Sequence, residues 1–431
     1  MNKLVMPTPS LSFRASLATS TGHSIQFERT QWPVGHGGFH TGHLRRQDGE
    51  SLHYFFDCGS KSKPDELIKR HLENHLYEFG VLSHFHTDHI AELQHAKLKR
   101  IFLPYLTEID MLFEIIGQWD ELDRTQIASA LATLKSWEQS GTLVWVQHGS
   151  GEPALDDEAN PEADQFTLEA VPPALAGQPA TLNDGQTIWI RDRVRLVELK
   201  FFNYRHTKVS AAFESELKAL IAAGTLQTAA GLAYATVSDL MLAIRSDPVR
   251  TIETNKAALT AAYAQACRAT SPKMNFNLSS LTLFSASCNI PQWLRSAPFI
   301  KSTPFSCPAP VEFDGWLCSG DLELEYPAWR AFHEHYSTRL EQCLAFNVPH
   351  HASEHALCDE ALHSLRGNKF LLLPVPDKSR HHPHPDMMKR FALHQVPGVL
   401  RVNKQPESAF SLLTTWENLR SSGAYVMFRS A

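Results

Sequence analysis

The sequence predicts an α/β sandwich, and three observations predict it. Short apolar runs alternate with helical patterns over residues 52–104. Strand-like runs resume beyond a long block rich in Ala and Leu. Histidines cluster where apolar runs end.

In the first stretch, LHYFF (52–56) is a short apolar run ending in Asp57-Cys58-Gly59-Ser60. Pro64, Asp65 and Glu66 then open a helical pattern that runs to His75, with proline and acidic residues in the first turn, where the helix tolerates a missing N–H and favours negative charge. Residues 79–83 read as a buried strand that leads straight into His84. Residues 90–98 read as helix and 100–103 as strand, stopped by Pro104. Residues 107–139 read as helix, with Gly117 the only breaker, and 143–147 as strand. The acidic, Pro- and Gly-rich segment 150–164 reads as a solvated loop. Strands follow at 187–191 and 194–202. The block 209–270 is mostly helical and interrupts the strand pattern. We read it as an insertion or subdomain within one domain spanning 1–431, serving as a lid or partner surface. Strands resume at 281–286, 314–318, 343–348, 369–374, 408–413 and 424–428, with no repeat of fixed period.

Forty basic residues face 46 acidic ones, a formal charge of −6. That balance excludes a basic coat for nucleic acid, so a polyanion would have to be gripped locally, and bound cations would supply the local charge. Seven cysteines form no CxxC pair and read as reduced thiols. The first twenty residues carry no signal-peptide pattern, and no apolar run approaches the roughly 18 to 20 residues that cross a bilayer. These features predict a cytoplasmic protein without a membrane partner. Dinucleotide, P-loop and GxSxG signatures are absent.

Histidine is the unusual residue, with 23 copies. In His84-Phe85-His86-Thr87-Asp88-His89, alternate residues His84 and His86 can face one side of a loop and bind one metal, while Asp88 and His89 face the other and bind a second. Imidazole and carboxylate are the ligands of zinc and similar ions.

This run matches the HxHxDH signature of metallo-β-lactamase-fold hydrolases. The chain resembles a branch of that superfamily containing the soluble domain of the competence protein ComEC and phosphorylcholine esterases. Ordered blocks carry the resemblance from residue 34 nearly to the C-terminus. Val34-Gly35-His36-Gly37-Gly38 is similar to a VGxGD turn, with Gly38 in place of the Asp. Asp57, the third residue of FFDCGS, matches the aspartate that lies behind the ligands. Residues 277–283 are similar to an NxxSLVL strand. Trp316-Leu317-Cys318-Ser319-Gly320-Asp321 resembles LLTGD, whose Asp bridges the two metals. The stretch 346–353 resembles KVPHHGS, with Ala352 in place of Gly, and His381-His382-Pro383-His384-Pro385 resembles YGHPHP.

The resemblance implies an αββα sandwich and two divalent ions held by His84, His86, Asp88, His89, Asp321 and one of His350 and His351. We take His350 as the ligand and His351 as facing substrate, an order the sequence leaves open. A carboxylate such as Asp321 has two oxygens and can touch both ions, which imidazole cannot. The first metal's usual third histidine is not evident; His148 and His206 are the candidates. Zinc is favoured over manganese by the ligand set.

The expected activity is a phosphodiesterase, within that a nuclease, with Asp88 or His351 moving the proton. His382 and His384 would lie near the mouth of the site. Arg205 and Arg380, with Arg100, Lys200, Lys208 and Lys378, would grip a nucleic acid that stacks on Phe202 or Tyr204. Three alternatives stand: a small phosphoester as substrate, a carboxylic ester or lactam, or a partner-regulated subunit of a bacterial defence or DNA-uptake system that docks through 209–270.

Overall fold

The computed structural model describes residues 24–61, 65–120, 124–149, 165–172, 178–270, 279–288, 294–300, 311–367, 369–379, 381–396 and 398–418. Arg380, the loop read at 150–164 and the strand read at 424–428 lie outside them.

Strand residues alternate between two environments, and that alternation builds the layers. In Ser51–Ser60, Tyr54 and Phe56 enter a core shared by two sheets, while Phe55 and Cys58 enter a second core on the outer side. In Arg195–Arg205, Leu199 and Phe201 point to the shared core and Phe202 points outward. Helices Glu66–Asn74 and Arg124–Ser140 cover the outer face of the first sheet through Ile68, Leu72, Leu134 and Trp137. Ala328–Gln342, Asp359–Ser364 and Pro385–Leu393 cover the second. The result is the αββα sandwich that the sequence predicts.

The first sheet has nine strands in the order Ala180–Asn183, Leu143–Gln147, Ile101–Pro104, Phe79–Val81, Ser51–Ser60, Gly37–Arg46, Ser24–Gln31, Phe410–Asn418 and Leu294–Ile300. The second has eight: Val399–Val402, Phe370–Pro374, Cys343–Asn347, Gly315–Cys318, Ser279–Ser287, Arg195–Arg205, Thr187–Arg191 and Thr167–Glu169. Each sheet is parallel in one half and antiparallel in the other. Phe79–Val81, Gly315–Cys318 and Cys343–Asn347, all in or bordering the parallel halves, lead into the loops that bear His84, Asp321 and His351. This places the histidine and aspartate motifs at one edge of the sandwich.

Two helix readings change. Residues 90–98 are not a helix: Thr87–Ile90 makes one turn, and the Glu92 N–H then bonds to the Cys58 carbonyl at 3.0 Å, drawing the chain out of the helical path. A short 3-10 turn, Leu93–His95, and the strand Lys97–Leu98 follow. The reading of 107–139 as one helix becomes two, Glu108–Gly117 and Arg124–Ser140, with the break just after Gly117.

The helices Thr207–Ala222, Val237–Ser246 and Pro248–Thr270 share a core with Glu108–Gly117 through Phe113, Val209, Phe213, Leu240, Ile252 and Leu259. Arg205 ties this bundle to the sheet: its guanidinium meets Asp110 at 2.5 Å, and the same carboxylate accepts from Ser210 Oγ.

Candidate metal centre

Gly320 has φ 56, and a Cβ there would lie 2.4 Å from that of Ser83, so only glycine lets the Asp321 turn meet the histidine loop. The His350 N–H donates to the Gly320 carbonyl at 3.1 Å, locking the third ligand turn to the second. His350, His351 and Ala352 have φ of 47, 51 and 58, three successive non-glycine residues in the left-handed region. Each costs on the order of 1–3 kcal/mol, a strain of the kind that concentrates at functional sites.

Three sets of donors converge: His84, His86 and Asp321; His89, Asp321 and His351; and His36, Asp88 and His351, the donor atoms of each set lying within 4.8 Å of one another. Asp321 is shared by the first two. His84 Nε2 is 3.6 Å from Asp321 Oδ2, and His89 Nε2 is 3.2 Å from Asp321 Oδ1. His351 Nε2 stands 3.4 Å from Asp88 Oδ2 and 3.7 Å from Asp321 Oδ1.

The rings are held from behind. His89 Nδ1 donates to Asp57 Oδ2 at 2.7 Å, and Asp57 also accepts from the Ser83 N–H and hydroxyl at 2.7 and 2.9 Å. His351 Nδ1 donates to the Pro374 carbonyl at 2.7 Å, and His84 Nδ1 bonds to Ser83 Oγ at 2.9 Å. The opposite nitrogens of His84, His89 and His351, with Asp321 Oδ1, are buried and have no hydrogen-bond partner among the described residues. Orphaned buried acceptors are costly, and rings held through Nδ1 with Nε2 turned inward are the pattern of metal-ligating histidine. The donors therefore fit divalent ions.

Electrostatics agree. Burial opposes charge on Asp88 and Asp321, yet the surrounding histidines hold both carboxyls well below their ordinary range. Burial keeps His84 neutral and lowers His86 to about 4. Burial would also lower His89, but Asp321 and Asp57 hold it well above the ordinary imidazole value: the carboxylates draw positive charge into the site. Ionised carboxylates and the neutral rings of His84 and His86 are the ligand forms of metal sites, whereas His89 would give up its proton to an ion that binds there.

We took His350 as the ligand of the pair, but it is His351 whose donor joins the sets around Asp88 and Asp321. His351 meets Asp88 and Asp321, whereas His350 turns to Glu323, its Nδ1 3.2 Å from Oε1. Both line a pocket of about 220 Å³ with His86, Asp88, Asp321 and His382. His382 packs 5.2 Å from His36 and 6.0 Å from His351, ring to ring. His384 is not in that lining; it caps helix Pro385–Leu393 by accepting from the Asp386 N–H. Arg205 is not there either, being committed to Asp110, and Lys200 donates to the Gly185 carbonyl. Neither third-histidine candidate joins the donors. His148 pairs with Asp184 at 3.1 Å and is largely exposed, and His206 packs against Tyr204.

Sequence reasoning missed seven contributors. His36 Nε2 lies 3.3 Å from Asp88 Oδ2, and Glu114 Oε2 lies 3.8 Å from His86 Nε2. Lys61 is a lining cation, and Phe113, Gly117, Gln118 and Tyr263 roof the pocket from the helical bundle. His36 had a signal, a histidine between glycines in a matched block. The roof had none, because it depends on how distant helices pack.

Fold and donors together define an α/β sandwich protein with a histidine–carboxylate centre. No family model and no curated protein matches the chain. One solved structure with a detectable likeness is that of a long form RNase Z from yeast, 11% identical with a TM-score of 0.28, covering 75% of this chain and 32% of that one. The chain thus spans about a third of that protein's length. At that TM-score the likeness carries no argument, and fold and site rest on the topology and donors of this chain. Among the described residues no helix is long and apolar enough to cross a membrane.

Proposed function

We propose that the protein is a metal-dependent hydrolase with a two-ion centre and that it cleaves phosphodiesters. The observation that supports this reading is the convergence of buried, unpartnered imidazole nitrogens on Asp321, each ring held through its other nitrogen. His84, His86 and Asp321 would hold one ion; Asp88, His89, His351 and the shared Asp321 would hold the other. Divalent ions there would supply an acidified water as nucleophile and positive charge against a phosphate.

The chain's own groups complete the chemistry. The Nδ1–H of His351 is committed to Pro374 and its Nε2 faces the carboxylates, so it has no nitrogen left to carry a proton to substrate. That role passes to His350, which Glu323 holds at the pocket wall. Lys61 offers a further donor to a phosphate oxygen. Phe113, Gly117, Gln118 and Tyr263 line the same cavity, of about 220 Å³. That size favours a compact diester over a polynucleotide.

The test is an activity screen on protein stripped by chelator and reloaded with zinc or manganese, using bis-p-nitrophenyl phosphate, DNA, RNA and a lactam. Metal-restored cleavage of the chromogenic diester is expected. Full activity without metal, or hydrolysis of the lactam alone, would overturn the reading.

A further inference from the structure

His36 belongs to neither the HxHxDH run nor the later histidine blocks, yet it reaches the centre. Its turn is built to bring it there. Gly37 has φ 157 and lies so close to the neighbouring strand that a Cβ would come 2.2 Å from the Gly59 carbonyl oxygen. The His36 carbonyl accepts from the Lys61 N–H at 2.9 Å, which pins the turn beside the pocket. His36 Nε2 then stands 3.3 Å from Asp88 Oδ2, the same oxygen that His351 Nε2 meets at 3.4 Å, and the two rings are 4.4 Å apart. Two donors bound at about 2.0–2.1 Å to one tetrahedral ion are themselves about 3.3–3.4 Å apart. His36 Nε2 and His351 Nε2 each stand at that spacing from Asp88 Oδ2, and the three donors lie within 4.8 Å of one another.

We infer that His36 is a metal ligand, adding a nitrogen to the position held by Asp88, His89, His351 and Asp321. The inference rests on the two-ion reading above. It makes the centre unequal. Two donor sets that share His351, namely His36 with Asp88 and His89 with Asp321, crowd one side of the centre; the other side has His84, His86 and Asp321, and neither His148 nor His206 joins it. The donor-rich position keeps its ion, and the donor-poor one leaves more of its ion's coordination to water and substrate and exchanges more readily.

The competing role for His36 is a hydrogen bond that merely orients Asp88, and substitution separates the two. Glutamine can still donate to Asp88 but is a poor ligand for these ions, whereas alanine does neither. Metal-free full-length protein would be titrated with cobalt(II) by calorimetry and visible absorption, alongside His36→Ala and His36→Gln, with folding checked by circular dichroism. Wild type should bind two equivalents in separable steps. Both variants should weaken the tighter step by roughly 10- to 100-fold or more, the scale that even an indirect partner's loss costs, and both should show the same altered cobalt spectrum. Variants that bind cobalt as wild type does would overturn the assignment while leaving the two-ion centre standing. Restoration by glutamine alone would make His36 a positioning residue. Failure of wild type to bind two ions would remove the functional reading itself.

Discussion

Asp57 accepts the Nδ1–H of His89 at 2.7 Å from a backbone held at φ 56, and through that bond it aims His89 Nε2 at Asp321. Its other contacts, to the Ser83 N–H and hydroxyl, fix the start of the histidine loop. Asp57 thus acts on the centre without entering it. Asp57→Asn, which keeps the shape and loses the charge, should lower metal affinity about 10- to 100-fold. Activity should recover when metal is raised. Metal content after dialysis and activity against metal concentration are the measurements, and unchanged affinity would show that His89 needs no carboxylate behind it.

Asp321 and the His350–His351 pair make a second prediction. Asp321 is shared between two donor sets, so Asp321→Ala should abolish activity and reduce both bound equivalents. His351→Ala should also release metal. His350→Ala should keep the metal and lose turnover, because His350 turns to Glu323 instead of the carboxylates. Elemental analysis of the three variants decides this, and metal loss on His350→Ala alone would restore the opposite order.

A third prediction lies outside the centre. His43 and His53 pair across neighbouring strands with rings stacked 3.9 Å apart, and His75 packs on His53 at 4.5 Å. Burial, then the neighbouring histidines, lowers His53 to about 3; burial, then His75 and Arg70, lowers His71 to about 4; burial also lowers His43 and His75. Free histidine titrates near pH 6.5, so the unfolded chain takes up protons that the folded chain refuses. The stability from this cluster is complete above about pH 6.5 and declines as pH falls towards 3 to 4. His53→Phe, which keeps a ring in the stack, should lose less stability than wild type between about pH 7.5 and pH 5. Urea midpoints at both pH values measure the difference, and parallel losses in the two proteins would remove this cluster as a source of acid sensitivity.

How much of this was legible in sequence depended on whether a feature was local. The strands leading to His84, Asp321 and His351 were readable because apolar runs stop at polar turns. Ser24–Gln31 and Gly37–Arg46 were not read as strands, because their outward residues include Gln, Glu, Thr, His and Arg and several of their buried ones, Arg29, Thr30, Gln31 and His40, are polar. The HxHxDH donors are neighbours in sequence, so their pattern was visible. The order of His350 and His351 was not: it turns on left-handed backbone at both residues and on a hydrogen bond to Pro374. Arg205 looked available for phosphate because its partner, Asp110, is far away along the chain. Long-range pairing was the recurring blind spot.

The last prediction concerns the roof. Phe113 and Tyr263 meet with ring centroids 4.5 Å apart, from helices Glu108–Gly117 and Pro248–Thr270, and both line the pocket over the carboxylates. Arg205 holds the first of these helices to the sheet through Asp110. If the roof selects compact substrates, Tyr263→Ala should raise the ratio of kcat/KM for a dinucleotide over that for bis-p-nitrophenyl phosphate. Arg205→Glu should move the ratio in the same direction by loosening the helix at its anchor. It should not weaken binding of a small anion, because Arg205 does not line the pocket. Were Arg205 a phosphate contact instead, its reversal would depress cleavage of the longer substrate and steepen with falling salt, since that interaction is screened. The direction of the Arg205→Glu effect on the longer substrate therefore distinguishes a roof anchor from a nucleic-acid clamp.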